Sequence, residues 1–181
     1  MQRAKWSMMF MLCLVMLCLA LSARAEEDVL QLSEMVLYPG SHIFLSWSDG
    51  TTYNLYSGWD FGCIVDRLGK PDIWQQSIDG ERYLATYKEL GLSFSVNKEG
   101  KILIILVENP LAKTVEGVAI GQSFEDVERT YGLGEELIKE RPDNQALNNE
   151  RAVIYGNLGV MFFGIRTPSN ILAIIIFSKI K

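Results

Sequence analysis

The spacing of apolar residues along the chain predicts two short helices. In two stretches the apolar residues recur near i, i+3, i+4 and i+7, which places them on one face of a helix. They are Phe61, Ile64, Val65 and Leu68 in the first stretch and Phe124, Val127 and Tyr131 in the second. Asp60 and Ser123 stand at equivalent N-cap positions. Gly69 and Gly132 are placed to end the helices.

Elsewhere the apolar residues follow the two-residue alternation or the continuous apolar run of β-strands. The predicted strands are 73–78, 82–88, 92–96 and 102–107 after the first helix, and 152–155, 160–165, 171–178 and a strand near 137–140 after the second. Residues 135–141 fit an extension of the second helix equally well. Short loops that contain glycine predict antiparallel hairpins. A further hairpin is predicted from 42–48 and 51–56, which flank Asp49-Gly50.

The pattern of a short helix followed by strands occurs twice along the chain. The matched residues include Gly58 with Gly121, Phe61 with Phe124, Gly69 with Gly132 and Tyr87 with Tyr155. We therefore predict an α+β fold in which two tandem helix-plus-antiparallel-sheet repeats share one sheet, with helices packed on one face, preceded by a β-hairpin. The predicted segments are a signal peptide (1–25), an N-terminal segment with the hairpin (26–55), repeat 1 (56–109), a linker (110–117) and repeat 2 (118–181).

The N-terminus has the pattern of a cleavable signal peptide. Two basic residues precede the apolar run 8–21, and Ala23-Arg24-Ala25 follows as a cleavage site. The run reaches about 21 Å as a helix, whereas a bilayer core is about 30 Å thick. We expect cleavage after Ala25, export to the periplasm or the medium, and no stable transmembrane span afterwards. The alternatives are an uncleaved anchor and lipid attachment at Cys18, although Leu17 is not the small residue that such signals have.

The net charge disfavours one class of partner, and the cysteine content excludes one kind of crosslink. The formal net charge is −5, and signal cleavage would make it more negative by removing three basic residues and no acidic one. An acidic chain without a basic cluster repels nucleic acid, so we expect no nucleic-acid partner. Cys63 would be the one cysteine left, which excludes an internal disulfide.

Catalytic and metal-binding patterns are weak in this sequence. His42 is the single histidine, and its neighbour Ser41 is not part of a nucleophile motif. Cys63 stands beside Ile64 and Val65, which predicts a core residue rather than a reactive thiol. No His/Cys cluster has metal spacing, and oxygens at 143–144 and 148–149 lack the order of a calcium loop. We expect no enzyme, no cofactor and no metal; an unrecognised enzyme centred on His42 or Cys63 is the alternative.

Two features point to protein binding. The runs 102–107 and 173–177 are apolar on both faces, so these strands are either covered on each side or leave one face available for a partner. Aromatic residues also cluster in the hairpin and the first repeat, where they anchor an interface or pack in the core. The candidate partner-binding residues are Trp47, Tyr53, Trp59 and Trp74, with Tyr56 in the same cluster.

Residues 56–178 resemble a known fold family. The helix with Phe61 and Ile64, the segment Leu68-Gly69-Lys70-Pro71-Asp72 and the stretch 87–94 are similar to BamE and the secreted β-lactamase inhibitor protein. Two copies resemble the inhibitor more closely. The chain lacks the paired cysteines of the inhibitor and a convincing lipid cysteine of BamE.

The resemblance implies an exported, non-catalytic module of the cell envelope that binds a protein partner through its sheet surface, in envelope assembly or enzyme inhibition. The alternative is a self-associating structural envelope protein, a homodimer that joins apolar sheet faces.

Overall fold

Two β-sheets account for most of the secondary structure in the computed structural model, which describes residues 30–78, 80–137, 149–166 and 168–179. The predicted signal peptide, Cys18 and most of the polar loop 140–151 lie outside the described residues. The elements are β1 (Leu32–Tyr38), β2 (His42–Trp47), β3 (Thr52–Tyr56), α1 (Gly62–Leu68), β4 (Ile73–Gln76), β5 (Arg82–Tyr87), β6 (Leu92–Asn97), β7 (Ile102–Val107), β8 (Ala112–Thr114), α2 (Phe124–Tyr131), β9 (Glu135–Glu136), β10 (Glu150–Tyr155), β11 (Val160–Ile165) and β12 (Asn170–Phe177).

The large sheet has eight strands in the order β4-β5-β6-β7-β12-β11-β10-β9. All neighbouring strands in it are antiparallel. Each half consists of four strands that are consecutive along the chain, and the last strand of each half, β7 and β12, pair at the centre. The small sheet has the order β3-β2-β1-β8, with β1 and β8 parallel.

The predicted fold class is wrong. The protein is mostly β, with two sheets, rather than a pair of helix-plus-sheet repeats that share one sheet with helices packed on one face. The predicted hairpin is part of a sheet of its own, because β1 adds to β2 and the three residues of β8, predicted as linker, add to β1. The helices have only seven and eight residues. They are too short to cover an eight-stranded sheet, and the small sheet supplies much of the buried apolar surface instead.

Both sheets contribute one face to a common core. In the large sheet, the residues of one face are buried, as Leu92, Phe94 and Val96 in β6 illustrate; we call this the inner face. The small sheet adds fully buried residues to the same hydrophobic cluster, which are Met35, Leu37, Ile43, Leu45 and Leu55. Burial of this apolar surface is the main source of stability.

The two helices are anchored to the inner face by aromatic residues. Phe61 lies 5.9 Å from Phe94 in β6, and Tyr131 lies 5.5 Å from Phe162 in β11, measured between ring centroids. Phe61 is 6% exposed and Phe124 is fully buried, as expected for residues of the apolar helix faces that the spacing predicts.

Glycines end both helices, as the sequence predicts. Gly69 and Gly132 have φ angles of 78° and 79°, which favour glycine because it has no Cβ. The predicted N-cap at Ser123 is also confirmed. At α1 the residue before Gly62, Phe61, already has a helical backbone (φ −63°, ψ −26°), and Asp60 Oδ1 accepts a hydrogen bond from the Gly62 N–H at 2.9 Å, so Asp60 acts at the start of this helix as the sequence predicts.

Candidate functional site

The outer face of the large sheet is divided into an apolar and a polar half. One row of residues in register runs across the sheet, from Ile154 through Met161, Ile175 and Leu106 to Ser93 and Thr86. The apolar part of this face lies on β7, β12, β11 and β10. We call it the outer-face patch and define it by Ile104, Leu106, Ile154, Met161, Phe163, Ile175 and Phe177.

Every residue of the outer-face patch is partly exposed, whereas inner-face residues of the same strands, such as Ile105, Phe162 and Ile174, are buried. Ala152 and Ala173, which pair with Phe163 on the outer face, are buried as well. The alternation follows from the pleat, which directs successive side chains to opposite faces. The sequence left open whether the apolar runs 102–107 and 173–177 are covered on both faces. In the structure the inner face is buried and the outer face keeps part of its surface exposed. Contiguous apolar surface of this kind is typical of a binding surface.

The other half of the outer face is polar. Ser93 and Thr86 share a hydrogen bond of 3.0 Å between their hydroxyl oxygens, and Ser95 stands opposite Ile104 in the ladder. The apolar exceptions are Leu84, which is 43% exposed, and Ile73 in β4, which pairs with Thr86. This half provides matched control positions on the same surface.

The candidate aromatic residues do not form one cluster. Trp47 is 9% exposed and packs edge-on against Tyr53, with ring centroids 5.2 Å apart, in the core of the small sheet. Trp59 is half-buried, between Tyr56 and the guanidinium of Arg67, which lies 4.9 Å from its ring centroid. Trp74 is half-exposed at the edge of the large sheet.

Trp74 lies beside an apolar groove. Its ring stacks on Tyr83, with centroids 5.2 Å apart, and contacts Phe61 at 5.1 Å. The groove has a volume of about 360 Å³ and is lined by Phe61, Val65, Lys70, Pro71 and Trp74. Of the four candidate residues, Trp74 therefore has the most accessible surroundings.

An aromatic row, which the sequence did not predict as a unit, crosses the small sheet. Tyr38 stacks on His42 at 4.3 Å, His42 on Tyr56 at 4.6 Å, and Tyr56 contacts Trp59 at 4.7 Å. Tyr38, His42 and Tyr56 lie on neighbouring strands in register, and Trp59 lies in the turn after β3. The register of the predicted hairpin was the signal that could have grouped them.

The two candidate catalytic residues, His42 and Cys63, lie in different elements, β2 and α1. Ser41 Oγ lies 2.9 Å from His42 Nδ1, and the rings of Tyr38 and Tyr56 stack on the imidazole. Burial lowers the pKa of His42, because it disfavours the imidazolium. Cys63 is half-buried in α1. Within the described residues, no group of three or more His, Cys, Asp or Glu side chains has an arrangement that would hold a metal ion.

Among the helices of the described ranges, none has the length and hydropathy needed to cross a bilayer. Neither a protein-family model nor a curated protein matches the chain.

Solved structures match part of the chain. An extracellular protein containing a SCP domain from Bacillus anthracis str. Ames has a TM-score of 0.50 and 15% identity, over 67% of this chain and 44% of that chain. A DUF4309 family protein (YjgB) from Bacillus subtilis subsp. subtilis str. 168 has a TM-score of 0.40 and 16% identity, over 65% of this chain and 77% of that one. The chain thus spans less than half of the first of these proteins, and at such identity the likeness concerns the fold.

Proposed function

We propose that the protein is an exported, non-catalytic binding module that holds a protein partner on the outer-face patch. The observation that carries the proposal is the apolar character of this patch on a sheet whose opposite face already forms the core. A sheet with one wet face normally alternates apolar and polar residues. In this protein β7 and β12 have apolar residues on the outer face as well as on the inner face that forms the core.

Export is supported by the N-terminal sequence. Basic residues, a short apolar run and Ala23-Arg24-Ala25 have the order of a secretory signal. The similarity to an extracellular protein agrees with export. The acidic net charge of −5 disfavours anionic surfaces, so we expect the patch to bind a protein rather than a nucleic acid or an anionic membrane.

A pair of charge substitutions on one face tests the proposal. Ile175→Asp places a carboxylate in the outer-face patch, and Ser95→Asp places the same group in the polar half. After crosslinking in the cells that produce the protein, we expect wild type and Ser95→Asp to retain the same co-purifying protein. Ile175→Asp should lose most of it, because a buried unpaired charge is costly at an interface. Equal recovery with both variants would contradict the proposal.

Self-association through the same patch is the competing explanation of its apolar character. Sedimentation of the purified protein at micromolar concentration separates the two. A dimer that Ile175→Asp converts to monomer would identify a second copy as the occupant, and a monomeric wild type would favour a different protein.

A further inference from the structure

The two edges of the large sheet differ in length and charge. β9 forms one edge with only two residues, Glu135 and Glu136. β4 forms the other edge with Ile73–Gln76, four residues without a charge. Short and charged edge strands are a common protection against pairing with another chain. The β9 edge has this protection and the β4 edge does not.

The backbone of β4 has hydrogen-bonding groups directed away from the sheet. The N–H of Ser77, the next residue, donates to the carbonyl of Arg82 at 2.9 Å. Because the bonds of an antiparallel ladder alternate, Ile73 and Gln75 direct their backbone groups to β5. The N–H and C=O groups of Trp74 and Gln76 then point outward, where an added strand would meet them.

The groove beside Trp74 lies where the side chains of such a strand would go. Trp74 pairs with Ala85 and belongs to the inner face. Every second side chain of a strand added to β4 would be on this face too, next to Trp74. Phe61, just before α1, and Val65 in α1 form the apolar wall of the groove, and Lys70 adds a positive charge to its lining.

The corresponding position in the other half of the sheet is filled. The guanidinium of Arg151 lies 4.7 Å from the ring centroid of Phe124. Its Nη2 is 2.7 Å from Glu128 Oε1, and its Nε is 3.8 Å from Glu136 Oε1. Paired charges thus cover Phe124, whereas the groove next to Phe61 is open.

We propose that the β4 edge binds an extended segment of another protein by strand addition, with an apolar side chain in the groove and a carboxylate beside Lys70. The ion pairs found in the described part of the chain do not include Lys70, so its ammonium group remains available for a carboxylate. This surface is separate from the outer-face patch, and the inference does not depend on the proposed function.

Selection of peptides tests the inference. A phage-displayed library of random decapeptides is selected on the protein purified from cells that express the full chain. We expect the enriched peptides to share an apolar residue next to Asp or Glu. N-methylation of successive backbone nitrogens in the best peptide should lower its affinity by about tenfold at every second position. This period of two is specific to strand addition.

Variants of the protein locate the binding edge. Gln76→Pro removes an outward N–H and should lose about tenfold in affinity, whereas Gln76→Ala keeps the N–H and should bind as wild type. Lys70→Glu should weaken binding and Lys70→Arg should preserve it. Ile175→Asp on the outer-face patch should not affect the peptide, so the two proposals can fail separately. Absence of binding peptides, no period in the N-methyl scan, or wild-type affinity of Gln76→Pro would each overturn the inference.

Discussion

At the scale of single residues, two tyrosine hydroxyls fix the ends of the helices. Tyr87 donates to the carbonyl of Gly69 at 2.8 Å, and Tyr155 donates to that of Gly132 at 2.7 Å. Burial, and then the charge of Asp72, raise the pKa of Tyr87 to about 12. Burial also raises the pKa of Tyr155. Both bonds need the neutral phenol as donor.

The raised pKa of Tyr87 predicts a loss of stability in alkali. The folded-state pKa lies above the unfolded value of about 10, so the folded state favours the neutral phenol. The contribution of Tyr87 is therefore complete below about pH 10 and is lost as the pH rises towards 12. Urea denaturation at a series of pH values should show a decline in the free energy of unfolding over this window. Tyr87→Phe should reduce the decline, and an unchanged decline would contradict the assignment.

Residue type alone does not predict which of the candidate tryptophans is accessible to solvent. Trp47 follows Ile43 and Leu45 at intervals of two, so its burial could have been read from the strand register. Trp74 is accessible because β4 is an edge strand. Which strand lies at the edge of a sheet depends on which strands pair, and the strand pairing cannot be read from a single sequence.

At the scale of elements, the two helices begin differently. The Ser123 side chain accepts from the Asp126 N–H, and the Asp126 carboxylate accepts from the Ser123 N–H, a complete capping box at the start of α2. At the start of α1, Asp60 Oδ1 accepts one hydrogen bond, from the Gly62 N–H, and no capping box is formed. The hydrogen bonds that Ser123 donates are the main cause that lowers the pKa of Asp126.

Removing the cap should therefore cost more at α2 than at α1. Ser123→Ala should lower the free energy of unfolding by about 1 kcal/mol. Asp60→Ala, the matched substitution before α1, should cost less, because the Asp60 side chain accepts a single hydrogen bond from the first turn and lacks the reciprocal bond of a capping box. Urea denaturation at neutral pH compares the two. An Asp60→Ala loss equal to or larger than that of Ser123→Ala would contradict the claim that the complete capping box makes the start of α2 the more stabilising of the two.

Local patterns predicted most strands but not all of them. The observed bounds of β7 and β11 are those predicted, since both follow clear turns with glycine. β8 has only three residues, too few to show a period, and it pairs in parallel with β1, a distant part of the chain. Periodicity along the chain does not show which distant segments pair. The sequence therefore did not predict the second sheet.

At the scale of the whole molecule, a continuous apolar strand fits two architectures. It is expected both in a sheet covered on each side and in a sheet with one apolar face open to a partner. The sequence could not decide between them. The resemblance to BamE and the β-lactamase inhibitor protein stays a prediction, because neither a family model nor a curated protein matches the chain.

Site-specific photo-crosslinking tests the central claim most directly. A photoreactive phenylalanine analogue is placed at Leu106, Met161 or Ile175 in the outer-face patch, and at Thr86 or Ser95 in the polar half of the same face. After irradiation of the producing cells, we expect the three patch positions to yield one common adduct with another protein, and the two polar positions to yield none. Adducts of equal yield from both halves, or no adduct from the patch, would contradict the claim that the outer-face patch holds a protein partner.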